Sequence, residues 1–211
     1  MKYNNILFCA MAMLFFQGIA IGQSVEAYAG HQRVGVDLMW FKNFKNNKDE
    51  RSPFLFFSRN RASVDYNNAP TAFGSTNALS YNFKNGLGFV TVASFLNAGF
   101  TPKAGVQLYK SKGPFMFFGW LVTDIRKNGN LDLFGLFRYQ PVINGHWKGF
   151  GQIELFPVYT PSAGTWNLTQ RVRLGARYQL WAAGFMADFN QLIVDNTIKT
   201  SNVGGFLRYD F

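Results

Sequence analysis

Arginine alternates with apolar residues in the stretch Leu168 to Tyr178, LTQRVRLGARY, and this spacing restricts what the segment can become. In a helix, at about 100° per residue, Arg171 and Arg173 would point to roughly opposite sides. In a strand, with its period of two, Arg171, Arg173 and Arg177 share one face. Leu168, Val172, Leu174, Ala176 and Tyr178 occupy the other face, interrupted by Gln170. One side of this strand requires an apolar medium, and the other requires water or countercharge.

The same alternation recurs along the chain. It predicts strands at about Ala27 to Phe41, Phe54 to Asp65, Thr71 to Phe83, Gly88 to Ala98, Lys103 to Lys110, Phe115 to Ile125, Leu131 to Gln140, Trp147 to Val158, Trp166 to Tyr178, Leu180 to Ile193 and Ser201 to Phe211. Turn-forming runs separate them: Asn67-Asn68-Ala69-Pro70, Lys84-Asn85-Gly86, Ser111-Lys112-Gly113-Pro114, Lys127-Asn128-Gly129-Asn130 and Asn144-Gly145. Strands joined by short turns pair as antiparallel hairpins, so the expected fold is a single all-β, up-and-down meander. Nothing in the pattern marks a second domain, a linker or a low-complexity tract.

Such a meander closes in one of two ways, with its apolar face inside or outside. The charged residues distinguish them. Turning the polar faces inward gathers Arg33, Arg59, Arg61, Arg138, Arg171, Arg173, Arg177 and Arg208 with Asp37, Asp65, Asp132, Glu154, Asp188 and Asp210. Eight positive charges then meet six negative ones, a near balance that suits an enclosed interior. Turned outward into lipid, each arginine would cost about 2 to 4 kcal/mol near the midplane. Aromatic residues point the same way. Trp40, Phe41, Tyr139, Trp147, Trp166, Tyr178, Trp181, Tyr209 and Phe211 fall at or near the expected strand ends, where amphipathic rings sit at the head-group level of a membrane.

The first residues, MKYNNILFCAMAMLFFQGIAIGQS, carry Lys2, an apolar run from Ile6 to about Ala20, and small residues at Ala20 and Gly22. This reads as a secretory signal peptide over residues 1–22, with residues 23–211 forming the exported domain. The run is shorter than the ~20 residues a spanning helix needs. Cys9, the one cysteine, lies inside it, so the exported domain contains no disulfide and no thiolate chemistry. The formal charge of +10 favours anionic lipid head groups and surface sugars over nucleic acid as neighbours of an exported chain.

The chain ends GGFLRYDF, with Val203, Leu207, Tyr209 and Phe211 alternating up to the last residue. With a signal peptide in front and hairpins between, it resembles a bacterial outer-membrane β-barrel protein. The resemblance implies residence in the bacterial outer membrane, contact with outer-membrane lipids, and a terminal strand read by the barrel-assembly machinery. Barrels of this class have even strand numbers, whereas eleven alternating segments are visible, so one boundary divides differently. Removing 22 residues from 211 leaves 189, which suits twelve strands of about ten residues, with ten strands as the alternative.

Inside such a barrel, Arg171, Arg173 and Arg177 would form one wall of an anion path, with Arg59, Arg61, Arg138 and Arg208 contributing. The carboxylates Asp37, Asp65, Asp132, Glu154, Asp188 and Asp210 are their expected partners. Trp40, Tyr139, Trp147, Trp166, Trp181, Tyr209 and Phe211 form the membrane-interface set. The expected function is a narrow passive channel for small, preferably anionic, solutes. The alternative is a non-conducting structural or surface-interaction barrel with a salt-bridged lumen, which the inward Phe134, Phe150, Phe156 and Phe206 favour. A lipid-modifying enzyme is the second alternative, although His31 and His146 are the sole histidine bases and neither has a serine two residues away. Two isolated histidines match no metal-ligand spacing, and no cofactor is expected. The basic connection KNFKNNKDERS, Lys42 to Ser52, is expected on the extracellular side if the first strand starts in the periplasm. Oligomeric state has no signature in the sequence.

Overall fold

A computed structural model describes residues 23–45, 50–67, 71–97, 99–126, 129–194 and 197–211; the expected signal peptide lies outside the described residues. Among the described residues the strands are β1 (Gln23–Gly30), β2 (Arg33–Lys45), β3 (Arg51–Asp65), β4 (Ala72–Asn82), β5 (Leu87–Leu96), β6 (Gly99–Lys112), β7 (Phe115–Asp124), β8 (Leu131–Tyr139), β9 (Val142–Asn144), β10 (Trp147–Thr160), β11 (Thr165–Tyr178), β12 (Trp181–Ile193) and β13 (Ile198–Asp210). Each long strand pairs antiparallel with the next, and β13 pairs back onto β1. The three-residue β9 only meets the start of β10, while β8 and β10 pair directly. The result is a closed antiparallel ring of twelve staves, with no free edge to template aggregation.

The twelfth stave lies inside the segment expected as one strand from Ala27 to Phe41. His31 and Gln32 turn the chain there, and β1 then pairs with β2 through Glu26↔Asp37 and Tyr28↔Gly35. Local turn chemistry does not announce this hairpin. It is held from 170 residues away by Asn202 of β13, whose carboxamide oxygen accepts the backbone N–H groups of Gln32 and Arg33, both at 3.0 Å, and whose amide donates to the Arg33 carbonyl at 3.2 Å. The additional stave reverses the direction of every later strand. The connection after β2, whose residues 46–49 lie outside the described residues, leaves from the end of the barrel that holds Gln23 and Phe211, not from the opposite end.

Alternation sorts the side chains as a membrane solvent would require. Val34, Val36, Leu38, Leu133, Ile153, Leu155, Leu174 and Leu207 are exposed on the outside, while Asp37, Asp132, Glu154, Arg173 and Arg208 are buried within. At the end bearing Gln23, aromatic pairs form a girdle: Trp147 with Tyr178, Trp181 with Tyr209, and Phe115 with Tyr139, at 4.5 to 5.0 Å between ring centroids. Tyr159 with Trp166 and Phe95 with Phe100 ring the other end. Trp40 packs edge-on against Phe56, and Phe211 stacks on Tyr209.

The interior is divided. Along β2 to β8 it is filled by Phe41, Phe57, Phe118, Trp120, Phe134 and their aliphatic neighbours. Phe118 is wholly buried and touches rings from β2, β3, β6, β7 and β8. Along β10 to β13 and back through β1 the inward positions combine charged residues with a second buried cluster of Tyr28, Phe150, Ala182, Met186 and Phe206. Gly175 on β11 stands opposite Gly184 on β12. A Cβ at either would come within 2.0 or 2.1 Å of a carbonyl oxygen on the facing strand, so only glycine permits this close approach.

Candidate functional site

Cross-strand register assembles the charged half of the lumen. Asp37 lies opposite Arg61, Glu154 opposite Arg171, Arg171 opposite Asp188, and Glu26 opposite both Asp37 and Arg208. Side chains then reach beyond adjacent strands. Arg59 clasps Asp37 through Nε at 3.0 and 3.1 Å and donates to Glu154 from Nη1 at 2.8 Å and Nη2 at 3.2 Å. Arg61 donates to Asp188 at 2.6 Å and to the Tyr28 hydroxyl at 3.0 Å while lying over the Tyr28 ring. Arg173 joins Glu26 at 2.8 Å and Asp188 at 2.6 Å. Arg171 reaches Glu154 at 3.2 Å and lies 3.9 Å from Asp188.

A second group continues toward the Gln23 end. Arg208 donates to Asp210 at 2.7 Å, and Arg177 pairs with the same carboxylate. Arg138 donates to Gln152 at 2.8 Å and lies over the Phe150 ring, as does Arg208. Gln152 in turn donates to Glu154 at 2.7 Å, which ties the two groups together. Shared, multiply hydrogen-bonded carboxylates of this kind are the condition under which buried guanidinium groups are tolerated.

All seven arginines of the expected path therefore face the lumen and belong to one network. Its carboxylates are Asp37, Glu154, Asp188 and Asp210 together with Glu26. Asp132 stands apart, buried against Lys103 on the aromatic side. Asp65 pairs with Arg33 at 3.2 Å at the half-exposed rim. Glu26 and Lys103 are outside the expected set. Glu26 shares the parity of Tyr28 and becomes visible as a lumen residue once the turn at residues 31 and 32 is placed. Lys103 opens a segment in which apolar and polar positions are not cleanly sorted, so no sequence signal singled it out.

A hollow of about 280 Å³ opens at the end away from Gln23, lined by Arg61, Arg171 and Lys103 together with Phe57, Trp120 and Phe134. His31 sits in the turn after β1 with Nδ1 against the Val203 backbone, and His146 lies near the Tyr178 ring at the opposite end. No group of three His, Cys, Asp or Glu side chains is placed to hold a metal ion among the described residues.

No family model matches the chain, and no curated protein does. Among solved structures it is similar to the β domain of the Bordetella autotransporter BrkA, at 10% identity over 90% of this chain and 97% of that one, with a TM-score of 0.35. It is also similar to a bacterial polysaccharide outer membrane secretin, at 9% identity over 92% of this chain and 100% of that one, with a TM-score of 0.35. The closed-barrel architecture rests on this chain's own strand pairing and face pattern.

Proposed function

We propose that the protein is a non-conducting barrel of the bacterial outer membrane, exported by residues 1–22, whose lumen is closed by a salt-bridged strut. The observation that carries this reading is the contact between Arg59 on β3 and Glu154 on β10. These strands lie on opposite sides of the ring, so the pair crosses the lumen. Beside it the aromatic cluster fills the remaining section, with Phe57 and Phe134 6.2 Å apart between centroids across the barrel. Packed rings and paired charges across the section oppose the passage of a hydrated ion. A closed lumen of this kind favours a structural or surface-interaction role over a channel.

A narrow anion channel is the second reading, and one observation favours it. Seven arginines share five carboxylates in the network, and among the described residues Arg138 is held by Gln152, Met39 and Phe150 rather than by a carboxylate. The experiment is conductance of the refolded domain in a planar bilayer under a salt gradient, beside a variant with Arg171, Arg173 and Arg177 changed to Gln. Verified insertion with no conductance steps supports the closed barrel. Anion-selective steps that weaken in the variant would replace it with the channel.

A further inference from the structure

The hollow at the end away from Gln23 presents more positive charge than negative. Along β3 its lining runs from Phe57 through Arg59 and Arg61 to Ser63, beside the Arg33–Asp65 rim. Five of the lining residues are basic, Arg33, Arg59, Arg61, Lys103 and Arg171, and two are acidic, Asp132 and Asp188. Asp37 and Glu154, which hold Arg59, are buried and do not line it. The lining is therefore cationic on balance.

Arg61 and Arg171 converge there. Their guanidinium groups lie 2.6 and 3.9 Å from the same Asp188 oxygen, and 15% and 20% of their side chains remain exposed. A guanidinium has five N–H donors, whereas the one hydrogen bond of Arg171 among the described residues goes to Glu154. Three buried donors of the lining, Arg33 Nε, Arg61 Nη1 and Trp120 Nε1, have no hydrogen-bond acceptor among the described residues, against one buried acceptor, Asp132 Oδ1, without a donor. Folded proteins seldom leave such groups unpaired, and this surplus of donors calls for a ligand that brings acceptors. The rest of the lining is apolar: Trp120 and Phe134 lie 4.9 Å apart between ring centroids, and Phe156 lies 6.1 Å from Phe134.

We propose that this hollow binds an organic anion whose carboxylate or sulfonate group meets Arg61 and Arg171 and whose apolar body packs on Phe57, Trp120 and Phe134. Two neighbouring guanidinium groups match the several oxygens of such a head group. A bare inorganic ion would leave the aromatic part of the lining in water, and a neutral apolar ligand would leave the donors unpaired. The volume of about 280 Å³ stands just below the ~300–1,000 Å³ typical of small-molecule sites, which suits a compact ring system rather than a polymer. Strand pairing closes the ring of staves, so the ligand enters from the aqueous phase at this end and not from lipid. The proposal goes beyond the closed-lumen reading, which bilayer conductance tests separately.

The test is calorimetric titration of the purified, folded protein in non-ionic detergent, with heat-dependent gel mobility to confirm folding and a protein-free micelle titration subtracted. The probe is naphthalene-2-sulfonate, beside its neutral isostere naphthalene-2-sulfonamide and beside methanesulfonate, which carries the charge without the ring. The expected result is one-to-one binding of naphthalene-2-sulfonate, about tenfold or more tighter than either comparison compound. Arg171→Gln is expected to weaken it about tenfold. Ser94→Trp, which fills the hollow opposite Thr76 and touches no charged pair, is expected to abolish it, while Phe185→Ala on the outer wall leaves it unchanged. Should Arg171→Gln fail to fold, Ser94→Trp and the two comparison compounds still decide. No saturable binding by the folded wild-type chain, equal binding of sulfonate and sulfonamide, or binding retained by Ser94→Trp overturns the proposal.

Discussion

Arg59 and Glu154 stand six staves apart whichever way the ring is counted, and their side chains meet through two hydrogen bonds of 2.8 and 3.2 Å. Both groups are largely withdrawn from solvent, and each has further partners: Asp37 for the arginine, Arg171 and Gln152 for the glutamate. The contact therefore crosses the lumen and cross-braces opposite walls.

Glu154→Gln removes the charge on which Arg59 and Arg171 converge. Breaking a buried pair from one side leaves an uncompensated charge and typically costs about 3–5 kcal/mol. Urea-induced unfolding of the refolded barrel, followed by gel mobility, is expected to shift to markedly lower denaturant. Asp65→Asn, at the half-exposed rim with Arg33, is expected to change the midpoint little, because a solvated pair contributes about 0–1 kcal/mol.

Lys103 and Asp132 behave differently because they form a buried pair outside the arginine network, with Asp124 opposite Lys103 on the next strand. Lys103→Met alone strands the carboxylate and is expected to destabilise the barrel. Lys103→Met with Asp132→Leu removes both charges and is expected to restore wild-type stability or exceed it, by up to about 4 kcal/mol. A double-mutant cycle on the unfolding midpoints reads the coupling.

Phe118→Ala is expected to cost about 3–5 kcal/mol, since the ring is wholly buried where five staves converge. Phe185→Ala, on the outer wall with 79% of its surface exposed, serves as the comparison. Its effect in detergent is expected to be small, and a loss equal to that of Phe118→Ala would show that the filled interior is not what stabilises the ring.

Gly184→Ala introduces a Cβ 2.1 Å from the Leu174 carbonyl oxygen, which is backbone and cannot swing aside. Overpacking of this kind costs about 1–3 kcal/mol or more. The variant is expected to refold more slowly and to a lower yield than Gly135→Ala, where an added Cβ meets nothing within 4 Å.

Much of this molecule is legible from period-two alternation. The arginines at 171, 173 and 177 declare a strand with one charged face, and the same parity places Arg59, Arg61, Arg138 and Arg208 on the inner wall. Side-chain direction in a strand is a local property of the backbone, so it can be read without knowing the partners. The aromatic residues at strand ends follow from the same local rule, and so does the apolar exterior.

Other features arise only when distant segments meet. The turn at His31 and Gln32 is stabilised by Asn202, 170 residues later, so no local signal separates β1 from β2. Without that turn the stave count is odd, Glu26 is overlooked, and the basic connection after β2 is assigned to the wrong end. The pairing of charges is likewise a tertiary matter: register joins Glu154 to Arg171, but only closure of the ring brings Arg59 to Glu154. Alternation specified which residues face inward; the closed ring decided which of them meet, because contacts across a lumen depend on the positions of all twelve staves at once.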